Sequence, residues 1–153
     1  MIVIVRHGQA EAAALSDRNR LLTEKGKASV GKRAEELAEK CRNFREVLVS
    51  PYLRTLQTFD ILKPLLDVGR VQITDELVPN ASPSIADYIR YADGQGGNVL
   101  VVSHMPLVSG IISALCGPSA FSAFDPGDFY LLDRKEDEAL YKVIYTTNSF
   151  SLM

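Results

Sequence analysis

Two apolar segments of the chain each run directly into a histidine. Residues 2–5 are followed by Arg6 and His7, and residues 99–102 lead into His104, the second of the two histidines in the sequence. A guanidinium presents a fork of donors that matches phosphate oxygens and always keeps its charge. A neutral imidazole can attack phosphorus, and a second imidazole can donate a hydrogen bond to a phosphoryl oxygen. These residue types therefore indicate chemistry on a phosphoryl group.

A third apolar segment ends in the same kind of residues. Residues 47–49 are followed by Ser50 and Pro51, with Arg54 one helical turn later. If the three segments are parallel strands, their carboxyl ends meet at one edge of a sheet, where open α/β sheets bind ligands. Helices predicted to begin at Ser50 and near Pro106 would add two N-termini, which favour anions. The sequence predicts an anion-binding active site at this edge.

Taken singly, each of these residues also has an ordinary structural interpretation. A histidine at the end of a strand is usually a hydrogen-bonded polar residue, and Arg54 could be a solvated charge on a helix. Ser50 and Pro51 are explained by a helix start alone. The functional interpretation depends on the fold, because only the predicted sheet brings residues so far apart in the chain to one edge.

Strand and helix patterns alternate along the whole chain. Strands are predicted at residues 2–5, 47–49, 71–74 and 99–102, and an antiparallel hairpin is predicted to pair 128–132 with 140–145. Helices are predicted from the N-cap Thr23 to about Cys41, and over residues 50–66, 84–91 and 106–116. This alternation predicts an α/β fold, a three-layer α/β/α arrangement with a mostly parallel sheet and an antiparallel C-terminal edge hairpin. We expect residues 1–153 to form a single domain.

Composition excludes several classes of protein. A net charge of −2 argues against non-specific binding of nucleic acid. Cys41 and Cys116 have no metal-ligand spacing and are expected to be reduced thiols, and two histidines without a carboxylate cluster make a poor metal site. The sequence therefore predicts neither a metal nor another cofactor. The short apolar N-terminus is not a signal peptide and no segment is long enough to span a membrane, so we expect a cytoplasmic protein without a membrane partner.

The ordered motifs resemble those of the histidine phosphatase superfamily. They are Arg6-His7-Gly8, Leu22-Thr23-x-x-Gly26, Ser50-Pro51-x-x-Arg54-x-x-Gln57-Thr58 and Val102-Ser103-His104. The resemblance extends from Ile2 to Leu115 and implies that His7 is the nucleophile that becomes phosphorylated. It implies that Arg6 and Arg54 hold the phosphoryl oxygens and that His104 completes the pocket.

Two further residues are candidates for substrate binding. Gly8 is included because a glycine lets the backbone come close to a ligand. Arg20 matches an arginine that precedes the Leu-Thr motif in some members of the superfamily, and it is equally well explained as a surface charge.

The loop at residues 76–83 narrows the resemblance to the compact SixA-type phosphohistidine phosphatases. Larger members insert a lid here, and mutases and ester phosphatases carry a glutamate general acid two residues after the leucine. In this chain Leu77 is followed by Val78 and Pro79, so proline stands at that position. An alkoxide leaving group needs a proton donor more than an imidazole does. The resemblance therefore implies removal of phosphate from histidine on a phosphotransfer protein.

Two other functions stay open on the sequence. A phosphatase of small phosphate esters could use Glu76, or Asp75, as a substitute acid, although both fit equally well as solvated carboxylates. A module that binds phosphohistidine without turnover would need no nucleophile, so the presence of His7 argues against it. The sequence does not predict the oligomeric state.

Overall fold

The computed structural model describes residues 1–149 as an α/β sheet structure with four helices. The strands are β1 (Ile2–Arg6), β2 (Asn43–Val49), β3 (Asp67–Ile73), β4 (Val99–Ser103), β5 (Phe129–Asp133) and β6 (Lys142–Thr146). The helices are α1 (Glu24–Lys40), α2 (Leu53–Leu62), α3 (Ile85–Gly94) and α4 (Leu107–Cys116), with short 3₁₀ turns at Asp17–Asn19, Lys63–Leu65 and Asp75–Leu77. Residues 150–153, which the predicted domain includes, lie outside the described residues.

One sheet holds all six strands in the order β3-β2-β4-β1-β5-β6. β1, β2, β3 and β4 are parallel, while β5 runs antiparallel to β1 and pairs with β6 as an edge hairpin. In the register of the central strands, Val102 lies beside both Val5 and Val49. The strands that precede the predicted site residues therefore end at one level, which is what the functional interpretation required.

Helices cover both faces of the sheet, which confirms the three-layer prediction. Successive side chains of a strand point to opposite faces, so a strand buried on both faces is apolar throughout. Val3 and Val5 of β1 pack in one core with α1 and α2, while Ile2 and Ile4 pack in the other with α3 and α4. The helix residues of the first core include Val30, Ala34, Leu37, Phe59 and Leu62, and those of the second include Ile85, Ile89, Leu107, Val108 and Ile111.

The prediction that Ser50 caps α2 was wrong. The helix begins at Leu53, its N-cap is Tyr52, and it ends at Leu62 instead of near residue 66. Ser50 lies just beyond the end of β2 and stays next to β4, because its backbone N–H donates to Val102 O at 3.1 Å. Its hydroxyl lies against the His104 ring instead of capping the helix.

The starts of two strands also differ from the predicted starts, for a simpler reason. β2 and β3 each begin four residues before the predicted start, because their first halves pair with each other through polar, exposed residues such as Asn43 with Asp67. A hydrophobic pattern cannot predict strand that is held by backbone pairing alone. The N-cap role of Thr23 is confirmed, since its hydroxyl accepts from Gly26 N at 2.9 Å.

Gly26 lets α1 lie against the backbone that leaves β1. A Cβ added there would lie 2.2 Å from Gln9 O, whereas a Cβ added at Gly31 of the same helix would meet nothing within 4 Å. We expect Gly26→Ala to lower the free energy of unfolding by about 1–3 kcal/mol through overpacking. Gly31→Ala should raise it by about 0.5–1 kcal/mol, because alanine favours a helix over glycine. Urea unfolding of both variants checks this pair; equal effects would contradict the close approach.

Across the described residues, the structure contains no helix with the length and apolar character needed to cross a membrane. Cys41 is buried, Cys116 is half-buried, and both are free thiols.

Candidate active site

The sheet brings His7, Arg54 and His104 together at its carboxyl edge. The backbone N–H of His7 donates to Ser103 O at 3.0 Å, so the residues after β1 and β4 stay side by side beyond the strands. The two imidazole rings lie 5.1 Å apart between centroids. Arg54, in the first turn of α2, donates from Nε to His7 Nε2 at 3.3 Å. Residues from three separate motifs therefore meet in one cluster.

The His7 ring is held as a neutral imidazole with its Nε2 lone pair facing Arg54. Its Nδ1 lies 2.7 Å from Gly8 O, and because a carbonyl oxygen can only accept, Nδ1 carries the proton. Burial, supported by the charges of Arg54 and Arg6, lowers the pKa of His7 to about 4, although its bond to Gly8 acts in the opposite direction. The ring is only 7% exposed. At neutral pH the ring is therefore neutral, and Nε2 is the nitrogen with a free electron pair that could attack phosphorus.

Arg54 is a buried cation whose orientation is set by Asp17. Its Nη1 donates to Asp17 O at 2.7 Å and its Nη2 to Asp17 Oδ2 at 3.2 Å, while its guanidinium lies 5.0 Å from the centre of the Tyr52 ring. These bonds use the two terminal nitrogens of the guanidinium, Nη1 and Nη2, so Nε is the atom that faces His7. The guanidinium is thus fixed beside Nε2 of His7.

Asp17 also binds Arg20, and sequence reasoning missed it. Arg20 donates from Nε to Asp17 Oδ1 at 2.8 Å and from Nη1 to Glu11 O at 2.9 Å. Burial alone would raise the pKa of Asp17, but hydrogen bonds from Arg20 and Arg54 hold it below its usual range. Arg20 therefore lies next to the cluster through this shared carboxylate, and its contact with substrate stays a prediction.

Arg6 is anchored by the backbone near Phe124. Its Nη1 donates to Phe124 O at 2.7 Å, and its buried Nε has no hydrogen-bond partner within residues 1–149. The same loop before β5 also binds the main chain at the end of β1, since Gly127 N donates to the carbonyl oxygens of Arg6 and His7. Arg6 is therefore held rigidly with donor capacity left for an anion.

His104 is even more deeply buried than His7, with 1% of its surface exposed. Its Nε2 lies 2.7 Å from Ser50 Oγ, and its Nδ1 is buried without a partner in the described part of the chain. Burial, with His7 and Arg54 nearby, lowers the pKa of His104 to about 2, so this ring is also neutral.

The remaining motif residues hold the backbone of the site. Gly8 N donates to Thr58 Oγ1 at 3.1 Å, and Leu22 N donates to Gln57 Oε1 at 2.7 Å. A Cβ added at Gly8 would lie 2.5 Å from Val30 Cγ2, so the backbone after His7 passes close to α1, while its predicted contact with a ligand stays a prediction. α2 therefore supplies both the cation and the side chains that fix the loop after β1.

Comparison with known proteins identifies the family of this chain. A family model described as histidine phosphatase superfamily (branch 1) matches residues 2–78, which is half of the chain. A phosphohistidine phosphatase SixA homolog of Haemophilus influenzae is 32% identical over 135 residues, 82% of each chain. The chain belongs to the histidine phosphatase superfamily. It is a phosphatase, as the motifs predicted.

Two further relatives support the same assignment. Phosphohistidine phosphatase SixA of Escherichia coli is 33% identical over 118 residues, covering 75% of this chain and 73% of that protein. A solved structure of the protein histidine phosphatase SixA with tungstate superposes with a TM-score of 0.88 at 27% identity and covers 99% of both chains. The fold prediction is confirmed over essentially the whole chain.

The fold is also shared with a phosphatase whose name records a different substrate. A phosphoserine phosphatase of Entamoeba histolytica has a TM-score of 0.74 at only 12% identity and covers 98% of its own chain. The fold alone therefore leaves the substrate undecided, and the residues around His7 have to decide it.

Glu76, the possible acid of this histidine phosphatase, lies on the exposed 3₁₀ turn after β3. Its backbone N–H donates to Thr74 Oγ1 at 3.2 Å, and the turn is tied to β4 where Ser103 Oγ donates to Leu77 O at 2.7 Å. Within residues 1–149, no hydrogen bond or ion pair joins the Glu76 side chain to the cluster. Its role as an acid stays a prediction without a contact to support it.

Proposed function

We propose that the chain is a phosphohistidine phosphatase that removes phosphate from histidine on phosphotransfer proteins through a phospho-His7 intermediate. One observation carries this proposal: the cluster holds a nucleophile and fixed cations, but its bonded carboxylate has no proton to donate. Within the described residues, the carboxylate that hydrogen-bonds to the side chains of the cluster is Asp17, whose pKa is held low by two arginines. Such a site favours a leaving group that can receive its proton elsewhere.

An imidazole is such a leaving group and an alkoxide is not. In a phosphohistidine the ring nitrogen that is not bonded to phosphorus can be protonated by solvent, outside the pocket. The ring then leaves as a neutral imidazole when the P–N bond breaks. The leaving alkoxide of an alkyl ester can receive its proton only at the bridging oxygen, inside the pocket, where general acid catalysis contributes about 10²–10⁴-fold in rate.

The first step transfers the phosphoryl group to His7. The Nε2 lone pair of His7 attacks phosphorus, the substrate P–N bond breaks, and its electron pair stays on the substrate ring. Because Nδ1–H of His7 is bound to Gly8 O at 2.7 Å, the phosphorylated His7 ring is a cation with its proton on the far nitrogen. Arg54 and Arg6 offset the charge of the phosphoryl oxygens.

The second step hydrolyses phospho-His7. Water attacks phosphorus, the Nε2–P bond breaks, and its electron pair returns to Nε2. His7 leaves as the neutral Nδ1–H imidazole with which it started, so the ring needs no further proton. The products are inorganic phosphate and free enzyme, and the same hydrogen bond to Gly8 serves both steps.

The names of the relatives support this substrate. Two curated relatives above 30% identity are called phosphohistidine phosphatases, and the tungstate-bound structure is called a protein histidine phosphatase. The partner we propose is therefore a histidine-phosphorylated phosphotransfer protein.

Phosphate release from a histidine-phosphorylated phosphotransfer protein, beside esters graded by the acidity of their leaving group, tests this function. We expect kcat/KM for phosphohistidine to exceed that for an alkyl ester such as phosphoserine by about 10²–10⁴-fold. Among esters, the rate should fall steeply as the leaving alcohol becomes less acidic. Glu76→Gln should change phosphohistidine turnover by less than about twofold, since exposed side chains without contacts contribute little.

The opposite pattern would support a small-ester phosphatase. Fast hydrolysis of phosphoserine, a flat dependence on leaving-group acidity and a large loss in Glu76→Gln would together overturn the proposal. Binding of the phosphorylated protein without phosphate release would instead indicate a binding module.

A further inference from the structure

Within residues 1–149, the proton of the buried Ser50 hydroxyl has one acceptor. Ser50 is 0% exposed, and its Oγ lies 2.7 Å from His104 Nε2 and 3.4 Å from Tyr52 N. A backbone N–H can only donate, so Oγ accepts from Tyr52. Within residues 1–149, the other partner of Oγ is His104 Nε2. If Nε2 carried a proton, the Ser50 O–H would be buried without an acceptor, which is unfavourable.

This hydrogen bond determines which nitrogen of His104 carries the proton. A neutral imidazole that accepts at Nε2 carries its proton on Nδ1. That Nδ1 is buried and has no partner within the described residues, on a ring 5.1 Å from that of His7. The unpaired donor therefore belongs to the same pocket as the nucleophile.

We propose that Ser50 is a positioning residue that sets the tautomer of His104, so that His104 Nδ1–H donates to the phosphoryl group as it moves to and from His7. This inference rests on the proposed phosphoryl transfer through His7. In the other tautomer, Nδ1 would present a lone pair to the phosphoryl oxygens and would repel them. A hydroxyl that bonds to His104 and not to His7 thus decides whether His104 is a donor.

Nitrogen-15 NMR measures the tautomer directly in the full chain. The protein has only two histidines, so a two-bond ¹H–¹⁵N correlation spectrum at pH 7 contains four ring nitrogens, and His7→Gln assigns them. We expect both rings to carry the proton on Nδ1. A His104 ring protonated on Nε2 in the wild-type protein would overturn the inference.

Ser103 provides a matched control for Ser50. It is also a 0% exposed serine at the end of a neighbouring strand, but its hydroxyl donates to Leu77 O and does not touch the His104 ring. Ser50→Ala should move His104 towards the Nε2–H tautomer and lower kcat/KM by about tenfold to a hundredfold, part of the 10²–10³-fold loss seen when a transition-state donor is removed. Ser103→Ala should leave the His104 tautomer unchanged, and Ser50→Thr, which restores a hydroxyl, should restore Nδ1–H.

These readouts separate this inference from the proposed function. The tautomer, and the affinity for tungstate as a phosphate mimic, are measured without any phosphorylated protein. If esters prove to be the better substrates, the phosphohistidine function fails while the tautomer result stands. If Ser50→Ala leaves the tautomer, tungstate affinity and kcat/KM unchanged, the positioning role fails while the function stands.

Discussion

His7→Ala is expected to lower turnover of a phosphohistidine protein by at least about 10⁴-fold, a loss typical for removal of a catalytic nucleophile. The reason is that His7 supplies the only attacking atom in the proposed mechanism, its Nε2, with the lone pair facing Arg54. Rapid-quench labelling with a ³²P-phosphorylated protein substrate measures the step directly. The wild-type enzyme should acquire a label that is stable to alkali and labile to acid, as a phosphoramidate is, and His7→Ala should acquire none.

His104→Ala is the control for this experiment. The variant removes an imidazole of the same cluster and loses a proposed donor, so labelling should be slower but should still occur on His7. Thermal unfolding of both variants checks that they keep the fold. A label that persists in His7→Ala, or that lies on His104, would contradict the assignment of the nucleophile.

The labelling experiment also bears on why a histidine is suited to this substrate. The bond broken and the bond formed in the first step are both P–N bonds to imidazole, so the transfer is close to balanced in free energy. The label should therefore return to an excess of unphosphorylated substrate protein until water removes it. With an alkyl ester the same step would replace a P–O bond by a P–N bond and would run uphill.

The main parts of this site could be predicted because they follow buried strands. β1 and β4 are apolar at every position except their last residue, and such a continuous apolar run predicts a strand that is buried on both faces. Once the strands are parallel and in register, the positions of His7 and His104 follow. Arg54 follows for the same reason, since it lies in the first turn of the helix after β2.

Two supporting contacts could not be predicted, for different physical reasons. Asp17 lies on a three-residue 3₁₀ turn, which is too short for any periodicity to indicate which side chain reaches Arg54. Ser50 was placed at the right edge of the sheet but was given the wrong partner. A serine before a proline can cap a helix or bond to a distant side chain, and here an imidazole 54 positions away decides between them.

Arg54→Lys is expected to lower kcat/KM by about 10²–10³-fold although the charge is conserved. Arg54 makes three directional bonds at once, two to Asp17 at its outer end and one from Nε to His7 Nε2. An ammonium group has its donors at a single point, so a lysine can pair with Asp17 or reach the phosphoryl oxygens but cannot do both in the same geometry. The affinity for tungstate should fall with kcat/KM, because the lost contacts are to the anion.

Arg18 offers a matched control for the charge and the aromatic contact. It is exposed and lies over the same Tyr52 ring, with its guanidinium 5.6 Å from the ring centre, and none of the hydrogen bonds of the described site involves it. Arg18→Lys should therefore leave kcat/KM and tungstate affinity within about twofold of wild type. If Arg54→Lys keeps more than about a tenth of the wild-type kcat/KM, a point charge is sufficient at this position. The clamp that orients the guanidinium through Asp17 would then have no catalytic purpose, and charge alone would explain the two arginines around His7.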